Sequence, residues 1–239
     1  MLNALSLSAL SFALNFSQVA AVTPGPVVSV SRLADVPNTT IRYYDVAGKD
    51  LASVNQSIAR QRPKSPGSGL APASLAWSVK AAFDQRTENE QCKVTSARAM
   101  LTATADLPRL VDEHAMETPM LGRWRHYAAE LEASQLVALV FVYSHLDRVE
   151  QAMLASTCQG AKAAGTAAVE QLRNRTTALT LEREQRYSLS QWLLTDADVT
   201  DAGADKVICK DLAGAASSRK PLHVCMVPRE WETLRESGE

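Results

Sequence analysis

Apolar positions alternate along the first half of the chain and recur at helical spacing along the second. Thr39–Val46 reads TTIRYYDV, a β-branched and aromatic run that predicts a strand. Gly48 ends it, and Asp50 is placed to cap a helix over Asp50–Arg62 with Leu51, Val54 and Ile58 on one face. Residues 63–72 hold three prolines and two glycines and predict a loop. Leu75, Trp77 and Val79 alternate with small or polar residues, which predicts a strand reaching Phe83. The polar stretch Asp84–Glu90 then predicts a turn. Cys92–Thr104 reads as a further strand ending before Leu107-Pro108, with a helix as the competing reading because the segment is Ala-rich.

From Pro119 the period changes. Thr118 is a candidate N-cap and Pro119 a candidate first helical residue, opening a long helix to about Thr157. A second, Ala- and Glu-rich helix is predicted over Gln159–Leu194, interrupted at Gly165. Strands with one helix, then long helices, argue for the α+β class, a small antiparallel sheet packed on long helices. The main domain is read as 39–195, preceded by an extended lead-in over 22–38 and followed by an acidic, Gly-containing linker over 196–205. Residues 206–239 read as a separate unit. Val207–Cys209 and His223–Met226 are short strand-like stretches joined by a Gly/Ser turn, a small hairpin that brings Cys209 and Cys225 within reach of a disulfide.

The N-terminus adds an address. Leu2 to Phe16 is mostly apolar and the small residues Ala20 and Ala21 follow, which predicts a signal peptide over 1–21 and a mature chain from Val22. No Lys or Arg precedes the apolar stretch, and a buried N-terminal helix is the competing reading. Export implies a periplasmic or secreted protein in oxidising surroundings. No later segment is long enough to span a bilayer: the longest apolar run, Leu136–Tyr143, is far short of the ~20 residues required.

Composition narrows the function classes. The 239 residues are 46% hydrophobic and 21% charged, and 25 Lys and Arg balance 26 Asp and Glu to a net charge of -1. No basic stripe breaks that balance, so nucleic acid is excluded as a partner. Cys92, Cys158, Cys209 and Cys225 are an even set without C-x-x-C spacing, which suits two disulfides better than a zinc knuckle. Spacing alone permits three pairings.

The order of several short motifs carries a resemblance. Tyr43-Tyr44-Asp45-Val46-Ala47-Gly48 is followed by Ala76-Trp77-Ser78-Val79, Cys92-Lys93-Val94 and Leu107-Pro108, then by Trp124, Tyr127 and Leu131 on the long helix, Cys158 after it, and Tyr187. Over roughly residues 40–192 the chain resembles a bacterial family of predicted secreted zinc-dependent proteases. The resemblance implies a zincin-like framework and a Cys92–Cys158 disulfide, which leaves Cys209 with Cys225. The tail from Cys209 through Cys225-Met226 to Glu230-Trp231-Glu232 also resembles a cysteine-flanked tail of small alphaproteobacterial proteins.

The family's helix carries H-E-x-x-H. Histidines at i and i+4 stack on one helix face and grip one zinc ion, and the intervening Glu serves as general base toward the metal-bound water. Here the corresponding run is Ser134-Gln135-Leu136-Val137-Ala138. Ser134 and Ala138 stand where the histidines would be, and Gln135 stands where the base would be. Alanine has no donor atom, and an amide does not take a proton near pH 7. A later family histidine is also missing from Ser188–Leu194. Of the histidines present (His114, His126, His145, His223), His126 has i, i+4 spacing only to Glu130, which is a surface pair before it is a metal site. His145 and Asp147 point to different helix faces. Ser134 lacks a Gly-x-Ser-x-Gly elbow. Trp77, Trp124, Trp192 and Trp231 read as core anchors.

The expected protein is therefore an exported pseudo-peptidase without metal or other cofactor, a binding or structural component of the bacterial envelope. Two alternatives differ in kind. One is a metal-dependent hydrolase with a rearranged site using His126 and Glu130. The other is a structural envelope protein that dimerises through Leu136–Tyr143.

Overall fold

A computed structural model describes residues 28–62, 71–186, 207–212 and 221–238. The predicted signal peptide, Tyr187, Trp192, Ser188–Leu194, the 196–205 linker and most of the 63–72 loop lie outside the described residues. Elements run in the order β1 (Val28–Val30), β2 (Thr39–Val46), α1 (Leu51–Gln61), β3 (Ser74–Glu88), β4 (Gln91–Leu110), α2 (Thr118–Ser144), α3 (Leu146–Leu154), α4 (Ala161–Arg186), β5 (Ile208–Leu212), β6 (Leu222–Met226) and α5 (Pro228–Gly238). The class is α+β, as expected.

The local signals held where local chemistry decides. β2 covers the predicted residues, and the Ser53 N–H donates to the Asp50 Oδ1 at 2.8 Å to cap α1. The hydrogen bonds from Ser53 hold the Asp50 carboxyl below the usual carboxylate range. Val54 and Ile58 are buried on the inner face of α1.

The sheet is mixed, which corrects the expectation of an antiparallel one. Its order is β2-β4-β3: β3 and β4 are an antiparallel hairpin, whereas β2 runs parallel to β4. A helix and a whole strand separate β2 from β4, so the chain has room to re-enter in the same direction. The predicted turn over Asp84–Glu90 shrinks to Asn89-Glu90, both at positive φ, between the paired Glu88 and Gln91. That backbone suits the right-handed twist of a two-residue hairpin loop.

Strand β4 also runs through Leu107-Pro108 instead of ending before it. The Ala103 N–H donates to the Asn38 carbonyl at 3.0 Å, so odd-numbered amides face β2 and even-numbered amides face β3. The first residue of β3, Ser74, lies opposite Asp106. Pro108 therefore falls past the end of β3, where its missing N–H has no ladder position to leave empty.

The inner face of β4 carries Ala99, Leu101, Ala103, Ala105 and Leu107, all buried. Pairing shifts between Asp84–Ser96 and Gln85–Val94, leaving Thr95 as the extra residue of a bulge. The bulge resets the alternation, so Val94 is buried although its number is even. Helices α2 and α3 pack on β4, and α4 packs on β3.

The single long helix predicted over 119–157 is two, broken at His145. The Phe141 carbonyl is taken by the Ser144 Oγ at 2.9 Å and the His145 Nδ1 at 2.8 Å, and the His145 N–H turns to the Val142 carbonyl. Side chains have replaced the backbone donors that would have continued the helix. Thr118 is not the cap: Glu117 holds that place and Thr118 is the first helical residue. Nor does Gly165 interrupt α4. A Cβ there would lie 2.8 Å from the Met153 Sδ on α3, so the glycine lets two helices approach closely.

The C-terminal hairpin joins a second sheet of order β1-β6-β5, with β1 parallel to β6. Lead-in and tail are therefore strands of one sheet. Leu222, Val224 and Met226 are buried in the same core as Val30 and Leu33. α5 was not foreseen. Its Trp231 Nε1 donates to the Ile208 carbonyl at 2.8 Å, and its Arg229 pairs with Glu130 of α2.

Candidate functional site

Two regions bear chemistry. The first is the α2 face that carries Ser134, Gln135 and Ala138. Trp124, Tyr127, Leu131, Ser134 and Ala138 follow one another at three- and four-residue steps, so they form one stripe. Trp124, Tyr127, Leu131 and Ala138 are buried and Ser134 is half-buried. Gln135 is half-buried beside them. From Leu136 to Tyr143 every residue is buried. A helix apolar on all sides is enclosed on all sides, and this stretch is the centre of the chain's own core.

The remaining candidates on the helices are scattered. Glu130 is engaged by Arg229 from α5, which ties it to the docking of the tail and not to His126. His126 is half-buried and His114 is exposed beyond the end of β4. His145 is held against the Phe141 carbonyl, with ring centroids 4.3 Å apart between Phe141 and His145. Burial pushes the His145 pKa below its ordinary value, with Arg148 and Arg175 adding to the effect. Among the described residues, none of His114, His126 and His145 belongs to a group of three metal-capable side chains.

The second region is the C-terminal hairpin. Both disulfides are formed, Cys92–Cys158 and Cys209–Cys225. The first joins the start of β4 to the loop after α3, beside a bridge between Lys93 and Thr157. The second lies across directly opposed positions of β5 and β6. The next pair on the same hairpin face, two residues along each strand, is Asp211 opposite His223. The His223 Nδ1 and Asp211 Oδ1 are 2.6 Å apart. Ligand-capable atoms of Cys209, His223 and Cys225 all lie within 4.8 Å of one another. Among the described residues, this is the one group of three metal-capable side chains.

Sequence reasoning found the two cysteines and missed His223 and Asp211. The signal was available as Cys209-x-Asp211 and His223-x-Cys225, since i, i+2 spacing on two strands puts all four side chains on one face. Only the register made them opposite one another. Among the described residues, no helix is long and apolar enough to cross a membrane.

Residues 41–190 match the model of a family described as bacterial protein of unknown function (DUF922). No curated protein and no solved structure matches the chain.

Proposed function

This chain belongs to the DUF922 family of bacterial proteins, and from that membership we propose that it is an exported pseudo-peptidase: a zincin-like framework that has lost its metal and base and works in the bacterial envelope by binding another component. One observation carries the reading. The positions that would hold two imidazoles and a carboxylate hold Ser134, Ala138 and Gln135, on a stripe that continues the buried Trp124, Tyr127 and Leu131. Zinc hydrolysis needs three protein ligands, an open fourth position and a base within reach of the bound water. Ser134, Gln135 and Ala138 supply neither imidazole nor carboxylate, and the helix beyond them is sealed by Leu136–Tyr143. Two disulfides in one chain accord with an oxidising compartment outside the cytoplasm.

A hydrolase with a rearranged site would use Glu130 as ligand or base. The pairing of Glu130 with Arg229 weighs against it. The test is elemental analysis of the oxidised protein purified without chelators, with a broad peptide-library cleavage assay. The expected result is no bound zinc and no cleavage. One zinc per oxidised chain, with cleavage abolished by a chelator, would overturn the proposal.

A further inference from the structure

The hairpin face carries more chemistry than a structural disulfide uses. Cys209 and Cys225 form one cross-strand pair, and His223 and Asp211 form the next. The Asp211 carboxylate lies 2.6 Å from the His223 Nδ1. In the neutral imidazole, a carboxylate acceptor at that place selects the tautomer with the proton on Nδ1 and leaves the Nε2 lone pair to serve as a ligand. This is the arrangement in which a carboxylate orients a metal-ligating imidazole.

We infer that the reduced hairpin is a zinc site. The Cys209 and Cys225 thiolates and the His223 imidazole are the ligands, Asp211 is the positioning residue, and the disulfide is the switch that closes the site. In a tetrahedral zinc centre, Zn–S near 2.3 Å and Zn–N near 2.0–2.1 Å put ligand atoms about 3.5–3.8 Å apart. The ligand atoms of the three residues lie within 4.8 Å of one another, so side-chain adjustments of about an ångström bring them to that spacing. On reduction the sulfurs need only separate across two strands whose spacing is set elsewhere. Leu222, Val224 and Met226 bury the other face of β6, β1 pairs along its far edge, and the Trp231 Nε1 holds the Ile208 carbonyl. The scaffold of the site therefore does not depend on the disulfide.

The switch balances with one co-reactant, a dithiol of the thiol–disulfide exchange class. Its thiolate attacks one sulfur of Cys209–Cys225, and its second thiol resolves the mixed disulfide. The reductant leaves as a disulfide and the hairpin becomes a dithiol. Zinc binding then releases the two thiol protons. Oxidation reverses the order: the thiolates lose two electrons to an acceptor disulfide, the S–S bond reforms and zinc leaves. This inference does not rest on the pseudo-peptidase reading, which concerns α2 in the oxidised protein.

The experiment uses the full chain, oxidised or reduced anaerobically with a phosphine, which does not itself compete as a dithiol ligand. Cobalt(II) is titrated as the spectroscopic probe, then displaced by zinc against a chromogenic chelator. Reduced protein should show a cobalt–thiolate charge-transfer band saturating at one ion per chain, and oxidised protein should show none. C209S/C225S, which keeps Cys92 and Cys158, should lose the band after reduction while its far-UV circular dichroism stays unchanged. H223A and D211N leave both cysteines in place and should weaken zinc binding by about tenfold or more. The inference is overturned if reduction produces no band, if the band survives in C209S/C225S, or if H223A binds as tightly as the unaltered chain.

Discussion

The Glu150 carboxylate, buried on α3, accepts a hydrogen bond from the Ala99 N–H of β4 at 2.9 Å. It does so because β2 pairs with β4 only from Ala103 onward. Before that point, among the described residues, the outward backbone groups of β4 have no strand beside them. The Asn38 side chain takes the Leu101 carbonyl at 3.2 Å, and Glu150 takes the Ala99 amide. Two side chains thus finish an edge that the backbone leaves open. Glu150→Ala should cost about 2–4 kcal/mol, since it leaves a buried N–H unpaired and opens a cavity. Glu150→Gln keeps an acceptor oxygen and should cost less. Urea unfolding of both variants measures the difference, and equal losses would contradict this role.

Gly48 and Gly122 should respond in opposite ways to a methyl group. At Gly48, φ is +156° and a Cβ would lie 2.6 Å from the Val54 backbone nitrogen. Gly48→Ala should therefore destabilise by about 2 kcal/mol or more, because backbone cannot step aside. A Cβ at Gly122 meets nothing within 4 Å. Gly122→Ala on α2 should stabilise by about 0.5–1 kcal/mol. Paired thermal melts decide.

The two disulfides should differ in worth. Cys92–Cys158 spans 66 residues and Cys209–Cys225 spans 16. The chain-entropy model gives about 4 kcal/mol for the first and about 3 kcal/mol for the second. Denaturant midpoints of C92S/C158S and C209S/C225S should therefore both fall, the former further. A larger loss on removing the hairpin bond would show that the tail is held mainly by that bond and not by its packing.

His145 should give stability a pH dependence. Its folded pKa lies below the ordinary value because burial disfavours the imidazolium. The unfolded chain thus binds the proton more readily. The His145 contribution is complete above the unfolded pKa of about 6.5 and falls as the pH drops through the folded value. Unfolding free energy measured between pH 7.5 and 5 should decline, and His145→Asn should flatten that decline. An unchanged slope would assign it to other groups.

Installing H-E-x-x-H on α2 should not create a zinc site. Ser134→His with Gln135→Glu and Ala138→His places a large polar ring at Ala138, which is 7% exposed. Overpacking and an unpaired imidazole should destabilise by a few kcal/mol. Zinc content of the oxidised triple variant, read beside its melting temperature, should show instability without stoichiometric metal on α2.

Local sequence determined what local chemistry can decide. The β-branched run of β2 and the Asp50 cap of α1 depend on neighbours within four residues, so they were legible. The absence of zinc-ligand side chains at Ser134, Gln135 and Ala138 could be read from the sequence, because it is a matter of identities and not geometries. The all-round apolar run Leu136–Tyr143 announced its own burial. Tertiary structure decided the rest, through contacts between residues far apart in the chain. Pro108 is tolerated in β4 only because β3 stops at Ser74, and Gly165 stays helical because α3 presses against it. The parallel pairing of β1 with β6 joins residues nearly two hundred positions apart, and no local propensity encodes such a partner. His223 and Asp211 became a site with Cys209 and Cys225 only through the hairpin register, since a slip of one residue would send alternate side chains to opposite faces.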